Sequence, residues 1–490
     1  MNGSLSKALA AGYLTIAVQT VTGLLLVPFL LSTHGVGLTG FAAIATVQAA
    51  AGLLAVMFDG YRQESARLIA IATSSGERTT LPSVILFTLI ASLAVAVPWA
   101  IAGKFTCALI GVRIHDAVTA ITLTAIYFVV EQLCYVLESD LHAQRRSWVP
   151  SGLGGADTVL RAILTVIFFE AFSADVSLFF LAALIGQSLK VALLLRLSSS
   201  ESRLLVRGCL SQISNQFNTF VTSLPLAFNG IAPFIVFRGS VIVANAALAG
   251  EQAGVVAIIL ITLRTYVNQG LFSVLRPMLI PRMALLDVAD QTSTSYRRLS
   301  TYFDLFQVSI LFVGVITAVS APVWLDLWLG SSVKAYSFFV QIAVALYFLE
   351  IAYGAHYYCL VAHDGGRRLA LLTGLFSLLL AGVVASGAYY GSSVASYVVP
   401  VMIYLMLYVF SVRLMFGRKF SFSMRRSDIC FFIFVVATLI GVSVAATTKA
   451  MGIFVSVGAG TLFLGLAYAM GIPLGLFKNF TLRRSKAVDG

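Results

Sequence analysis

The chain has 490 residues, 59% of them hydrophobic and only 11% charged, with a mean hydropathy of +0.95. A soluble domain carries about a quarter charged residues, so this chain has no route to a water-facing surface and the bilayer is its solvent. Apolar runs of about twenty residues exclude a β-barrel, whose strands alternate apolar and polar; the formal charge of +12 raises nucleic acid as a partner, and its placement then removes it.

Membrane helices need ~20 apolar residues, and about fourteen such stretches are predicted. They run over 8–31, 39–58, 82–102, 117–137, 152–170, 175–195, 217–240, 253–275, 303–323, 335–356, 369–389, 393–412, 430–447 and 451–472. The first follows Lys7 and has no small-residue cleavage site at its end, so it reads as a retained helix and not a signal peptide. The second ends in Phe58-Asp59-Gly60-Tyr61-Arg62, where Asp59 and Arg62 read as a helix anchor or a cytoplasmic gate. The fourth carries Glu131 and the tenth Glu350. The fifth carries Arg161, about 16 Å from its start at Pro150 and so near the midplane. Asp157 is one turn earlier and is a candidate neutralising partner. In the sixth, Lys190 is close enough to Arg196 to snorkel to the inner surface. The seventh is interrupted at Gly230 and Pro233 before Arg238; the eighth carries Arg264 at a depth like that of Arg161. Prolines at Pro28, Pro225, Pro233 and Pro400 mark bending points and favour a bundle that moves.

Basic residues fix the orientation. With the N-terminus inside, only Lys104, Arg113, Lys334 and Lys449 fall in outer segments, and Arg161, Lys190, Arg238 and Arg264 fall inside helices. All the rest of the 32 Lys and Arg lie in inner segments. This is the positive-inside rule, and it places both termini in the cytoplasm. Of five cysteines only Cys107 is exported, so no disulfide framework is expected.

An internal repeat is legible. Pro98-Trp99 and Pro322-Val323-Trp324 end helices three and nine. Leu109-Ile110-Gly111 and Leu327-Trp328-Leu329-Gly330 follow them; Tyr127 to Glu131 matches Tyr347 to Glu350; and Arg145-Arg146 matches Arg367-Arg368. The order is the same in both halves at nearly constant offset, which predicts an all-α polytopic membrane protein of two six-helix lobes. A pseudo-twofold along the membrane normal relates them, as in transporters with parallel repeats. The expected domains are a lobe at 1–200, a cytoplasmic linker at 201–218, a lobe at 219–415, and two extra helices with a basic tail at 416–490.

Two such lobes enclose a cavity. Intramembrane charge is costly and marks function by default. Arg161, Arg264 and Arg238 are candidates for holding a phosphate or diphosphate, which a planar guanidinium binds bidentately. Glu131 and Glu350 are ion-coupling candidates, because a desolvated carboxylate exchanges protons near neutral pH. The alternative for them is a salt bridge to Arg161, Lys190 or Arg264. There is no Gly-rich phosphate loop ending in Lys-Ser/Thr, no paired acidic metal motif and no loop long enough for a soluble catalytic domain. No catalytic residue, metal or cofactor is expected.

The Pro28 to Gly35 stretch with Gly40-Phe41, the Phe58-Asp59-Gly60 segment running to Arg67-Leu68-Ile69-Ala70, the Pro277 to Pro281 segment and the Asp326-Leu327-Trp328-Leu329-Gly330 turn resemble Wzx-type polysaccharide flippases. These belong to the multidrug/oligosaccharidyl-lipid/polysaccharide exporter superfamily. The chain departs from the family at helix two, where Asp59-Gly60-Tyr61 stands in place of Asp-Phe/Leu-Gly. The resemblance implies a bacterial inner-membrane flippase moving undecaprenyl-diphosphate-linked oligosaccharide to the periplasmic leaflet for O-antigen or exopolysaccharide assembly. It implies alternating access driven by an ion gradient, a cationic cavity lined by Arg161, Arg238 and Arg264, a monomer, and a polymerase and chain-length regulator as pathway partners. A drug or lipid II exporter of the same superfamily is the alternative; a polysaccharide polymerase is a more distant one, disfavoured by short, nearly uncharged outer loops.

Overall fold

A computed structural model describes residues 2–75, 80–109, 117–144, 146–198, 212–267, 294–362, 366–390, 393–420, 425–447 and 459–461. Among these residues every regular element is helical. In chain order they are α1 (Asn2–Leu31), α2 (Gly37–Ser75), α3 (Thr80–Ile101), α4 (Gly103–Leu109), α5 (Ala117–Ala143), α6 (Trp148–Ala171), α7 (Val176–Leu197) and α8 (Ile213–Pro233). A π turn (Phe234–Gly239) leads from α8 into α9 (Ser240–Ala247), and α10 (Gly250–Ala257) passes into a second π turn (Ile258–Leu263). Next come α11 (Thr294–Val319), α12 (Ala321–Leu329), α13 (Ser331–Lys334), α14 (Ser337–Ala362), α15 (Gly366–Tyr390), α16 (Ala395–Phe420) and α17 (Arg425–Thr447).

Nine of the described helices are long and apolar enough to cross a membrane, or ten if the bent pair α11 and α12 counts as one span. Phe234–Ala247, Leu371–Val384 and Cys430–Val442 are shorter apolar helices. All of the predicted stretch 451–472 except residues 459–461, the linker 201–218 up to residue 211, and the tail beyond residue 461 lie outside the described residues. The chain is an all-α, multi-pass membrane protein.

It divides into two compact units, Met1–Val274 with Ala370–Tyr404, and Leu275–Leu369 with Leu405–Gly490. In the first unit α2 is the central post, contacting α5, α8 and α10. Apolar burial adds little between helices already solvated by lipid, so close packing has to hold them, and small residues permit it. Ala42, Ala43, Ala45, Ala49 and Ala50 on α2 are buried accordingly. Further along α2 an aromatic cluster fills the space between α2, α3, α5 and α8. Tyr61 and Phe87 have centroids 5.1 Å apart, Phe58 and Phe128 5.5 Å, and Phe58 and Phe220 5.5 Å. Gly37 starts α2 with φ +68, a left-handed conformation that glycine adopts without strain.

In the second unit α11 packs on α14 and α17. Gly314 admits Phe348 and Phe434, and Gly441 admits Val319, at distances a side chain would fill. The chain turns by 65° between α11 and α12. Pro322 sits in the first turn of α12, where its missing N–H costs nothing, and Trp324 Nε1 donates back to Thr317 O at 2.9 Å.

Candidate functional site: a charged cavity in the first unit

Three neighbouring helices each turn a polar stripe to the same side. On α5 it is Tyr127, Glu131, Tyr135 and Glu138; on α6, Asp157, Thr158, Arg161 and Thr165; on α7, Gln187 and Lys190. Spacings of three and four residues put each set on one face of its helix. The stripes wall two adjoining chambers of about 490 and 850 Å³, which share Arg62, Tyr127, Glu131, Thr158 and Arg161.

In the smaller chamber, cations meet acids. Arg161 Nη2 lies 2.5 Å from Asp157 Oδ2, and its Nε donates to Asp157 Oδ1 at 2.8 Å. The same guanidinium donates to Tyr127 Oη at 3.1 Å and to the Gln187 side-chain carbonyl. Gly186 makes this possible, since a Cβ there would stand 2.6 Å from Asp157 Oδ1 and 2.8 Å from Arg161 Cγ. Lys190 Nζ is 2.7 Å from Glu138 Oε1. Arg62 Nε donates to Gln132 Oε1 at 3.0 Å, with Asp59 at 3.4 Å and Glu131 at 3.6 Å from its terminal nitrogens. Each pairing lowers the cost of holding charge at membrane depth.

The larger chamber is built differently. It is lined by Arg238 and Arg264 together with Phe128, Phe179, Phe180 and Phe237. Arg238 lies within the first π turn, and Arg264 immediately succeeds the second. A π turn inserts one residue into the helix and rotates the turns beyond it, a common device at functional sites. Arg264 Cζ stands 3.7 Å from the Phe237 ring centroid, a cation–π contact. Arg238 is exposed to the chamber and has no acid within ion-pair distance among the described residues; Glu131, Asp59 and Arg264 are near enough to act on it electrostatically. Its guanidinium lies over Gly52, where a Cβ would come within 1.6 Å of Nη1.

The structure therefore brings Arg161, Arg238 and Arg264 to one cavity, together with Glu131, Asp59 and Arg62. Three sequence expectations need correction. Asp59 and Arg62 do not anchor a helix end, because α2 continues to Ser75. Lys190 does not snorkel to the inner surface: its side chain is only 12% exposed and pairs with Glu138. Glu131 meets Arg62 and not Arg161, Lys190 or Arg264 as its ion-pair partner. Glu350 lies half-buried on α14 in the second unit and is not among the residues lining these chambers. Tyr127, Glu138 and Gln187 line the site without having been expected there, although the polar stripes on α5 and α7 carry them at helical spacing.

A separate groove of about 470 Å³ between α1 and α6 is lined by Leu14, Val18, Val159, Leu160 and their neighbours. It holds no ionisable side chain and takes no part in the chemistry above. Among the described residues no cluster of His, Cys, Asp and Glu could hold a metal ion.

No protein-family profile matches the sequence, and no curated protein matches it. The fold, however, has solved counterparts. The lipid II flippase MurJ in an inward closed conformation superposes with a TM-score of 0.65 at 12% identity, over 94% of this chain and 98% of that one. A variant of the Vibrio cholerae MATE transporter VcmN gives 0.56 at 14% identity, over 86% and 98%. A MOP superfamily transporter from Pyrococcus furiosus, described as having a binding pocket of reversed polarity that suggests a different function, gives 0.54 at 14% identity, over 85% and 95%. The chain has the fold that MurJ shares with the MATE transporters.

Proposed function

We propose that this protein is a flippase for diphosphate-linked lipids, moving an undecaprenyl-diphosphate oligosaccharide from the cytoplasmic to the periplasmic leaflet of a bacterial inner membrane. The observation that carries the reading is Arg238. It is a guanidinium in the apolar helix Phe234–Ala247, exposed to a chamber of about 850 Å³ beside Arg264, with no carboxylate at ion-pair distance among the described residues. Protein that keeps such a charge without a counter-ion has an anionic ligand as the natural source of one. The guanidiniums of Arg238 and Arg264, lining one chamber, match a diphosphate. The aromatic and aliphatic lining beside them suits the first isoprene units.

A cationic drug is the wrong cargo for this chamber, since Arg238 and Arg264 would repel it. The chain carries out no covalent chemistry in this reading: it binds, exposes the cargo alternately to each side, and releases it. An ion gradient drives the cycle. Glu131, which is partly exposed beside Arg62 and within electrostatic reach of Arg238, is the carboxylate best placed to couple the two.

Lipid II as the cargo is a second reading, favoured by the likeness to MurJ over nearly the whole of both chains. One experiment addresses both. The gene is deleted in its host, and lipid-linked oligosaccharide and lipid II are quantified by mass spectrometry, with leaflets separated by lectin access to spheroplasts. Oligosaccharide trapped on the inner face, rescued by wild type and not by Arg238→Ala, supports the first reading. Trapped lipid II supports the second. Single repeat units on the outer face, left unpolymerised, would make the chain a polymerase; normal polysaccharide with reduced dye efflux would make it a drug exporter.

A further inference from the structure

Resting on the diphosphate reading, we propose that the smaller chamber, walled by α1, α5, α6 and α7, is a saccharide subsite, separate from the arginines that take the diphosphate. The first argument is charge. The ionisable groups lining it are Arg62, Arg161 and Lys190 against Glu131, Glu138 and Asp157, so the formal charges cancel. Each cation already has an acid within 4 Å: Arg161 with Asp157, Lys190 with Glu138, Arg62 with Glu131. An anion entering here would have to displace a carboxylate from its partner, whereas Arg238 in the neighbouring chamber has no such partner to lose. A neutral, polyhydroxylated ligand meets no charge mismatch.

The second argument is unused hydrogen-bonding capacity. Gln19 on α1 lines the chamber and has no hydrogen-bond partner among the described residues, leaving its amide able to donate and accept. Tyr127 Oη accepts from Arg161 and keeps its own proton to give. Glu138 holds Lys190 through Oε1 and takes a hydrogen bond from the Cys134 thiol, and its carboxylate keeps further lone pairs able to accept. Vicinal hydroxyls need this mixture of fixed acceptors and donors; a phosphate needs donors only. The ion pairs hold those acceptors in place before the ligand arrives.

The third argument is space and adjacency. At about 490 Å³ the chamber falls within the range of ligand pockets, roughly 300–1,000 Å³. It joins the larger chamber along Arg62, Tyr127, Glu131, Thr158 and Arg161. A headgroup whose diphosphate rests on Arg238 and Arg264 can thus extend its sugar into the neutral chamber without leaving the cavity. Gly154 lies on this wall with its nearest neighbours, Lys190 Nζ and Thr15 Cγ2, at 3.8 and 4.0 Å from an added Cβ. A larger residue there enters the chamber without colliding with the backbone.

The test compares two lipids on the full-length protein in nanodiscs by native mass spectrometry: undecaprenyl diphosphate alone, and the same lipid carrying the host's oligosaccharide. Gln19→Ala is expected to weaken the glycosylated lipid about fivefold, the worth of one neutral hydrogen bond. Gly154→Leu is expected to weaken it by about tenfold or more, since it fills the chamber. Both variants should bind the bare lipid as wild type does, which also shows that they fold. Arg238→Ala should weaken both lipids alike. If Gln19→Ala and Gly154→Leu leave the glycosylated lipid untouched, or weaken the two lipids equally, the saccharide subsite is wrong and the diphosphate reading stands. If wild type binds neither lipid better than phosphatidylcholine, the diphosphate reading itself fails and the subsite with it.

Discussion

The two chambers handle intramembrane charge in opposite ways. In the smaller chamber every lining cation is matched with an acid, Arg161 with Asp157, Lys190 with Glu138 and Arg62 of α2 with Glu131 of α5, and glycine or glutamine completes the fit. At the π turns two arginines project beside phenylalanine rings, and Arg238 is left without an acid within 4 Å among the described residues. A pair closed upon itself is a structural device, because both members gain only while both are present. A cation without a near partner carries its desolvation cost uncompensated, and on the proposed reading an arriving anion offsets it. On that reading, the closed pairs steady the first chamber and keep it neutral, while the second recognises the anion.

The largest expected effect tests the closed pairs. Asp157 has only 7% of its side chain exposed, so Asp157→Ala leaves Arg161 enclosed without its counter-ion and should cost about 3–5 kcal/mol in unfolding free energy. Asp157→Ala combined with Arg161→Leu should recover most of that loss. Unfolding monitored by titration with a denaturing detergent measures both; a double variant no more stable than the single one would break the comparison.

The second effect concerns transport and not stability. Arg238→Ala with Arg264→Ala removes two charge-assisted contacts to the cargo, each worth about 1.5–3 kcal/mol, so flipping should fall by about a hundredfold or more. The melting temperature should hardly move. A stability loss as large as that of Asp157→Ala would show that these arginines are structural after all.

Gly52→Ala should separate the two quantities by sign. Alanine favours the helix by about 1 kcal/mol over glycine, yet its Cβ would come within 1.6 Å of Arg238 Nη1 and push the guanidinium aside. Transport should fall, by roughly fivefold to tenfold for one weakened charge-assisted bond, while the protein becomes no less stable. The smallest effect is Lys334→Ala in the second unit. Its ion pair with Asp326 is nearly half exposed on both sides, so between 0 and about 1 kcal/mol is expected, and no change in transport.

Much of this architecture is legible in the sequence because lipid imposes a simple rule: about twenty apolar residues make a helix. The i, i+4 pair of Asp157 and Arg161 can be read directly, and so can the place of Arg161 and Arg264 inside long apolar helices. Depth alone misleads at Lys190, where proximity to Arg196 suggests the inner surface. Its azimuth decides instead, since Lys190 shares a face with Gln187, one turn earlier. At Asp59 and Arg62 the apolar run stops while the helix does not. Gln63, Glu64, Ala66 and Arg67 are good helix formers, and Arg67 Nε donates to Glu64 at 3.0 Å, so the helix runs on to Ser75. The partner of Glu131 is not legible, because Arg62 approaches it from a different helix. Nor is the second π turn, Ile258–Leu263, whereas the first follows Pro233, where the sequence predicts an interruption.

Whether this chain moves a lipid diphosphate through a cavity held by Arg238 can be measured directly. Proteoliposomes of the purified protein are loaded with a fluorescent undecaprenyl-diphosphate oligosaccharide, and an external glycosidase reports the leaflet it occupies. Wild type should expose inner-leaflet lipid to the enzyme, and Arg238→Ala with Arg264→Ala should slow that exposure by about a hundredfold, in line with two lost charge-assisted contacts. Equal rates for wild type, the double variant and empty liposomes would contradict it.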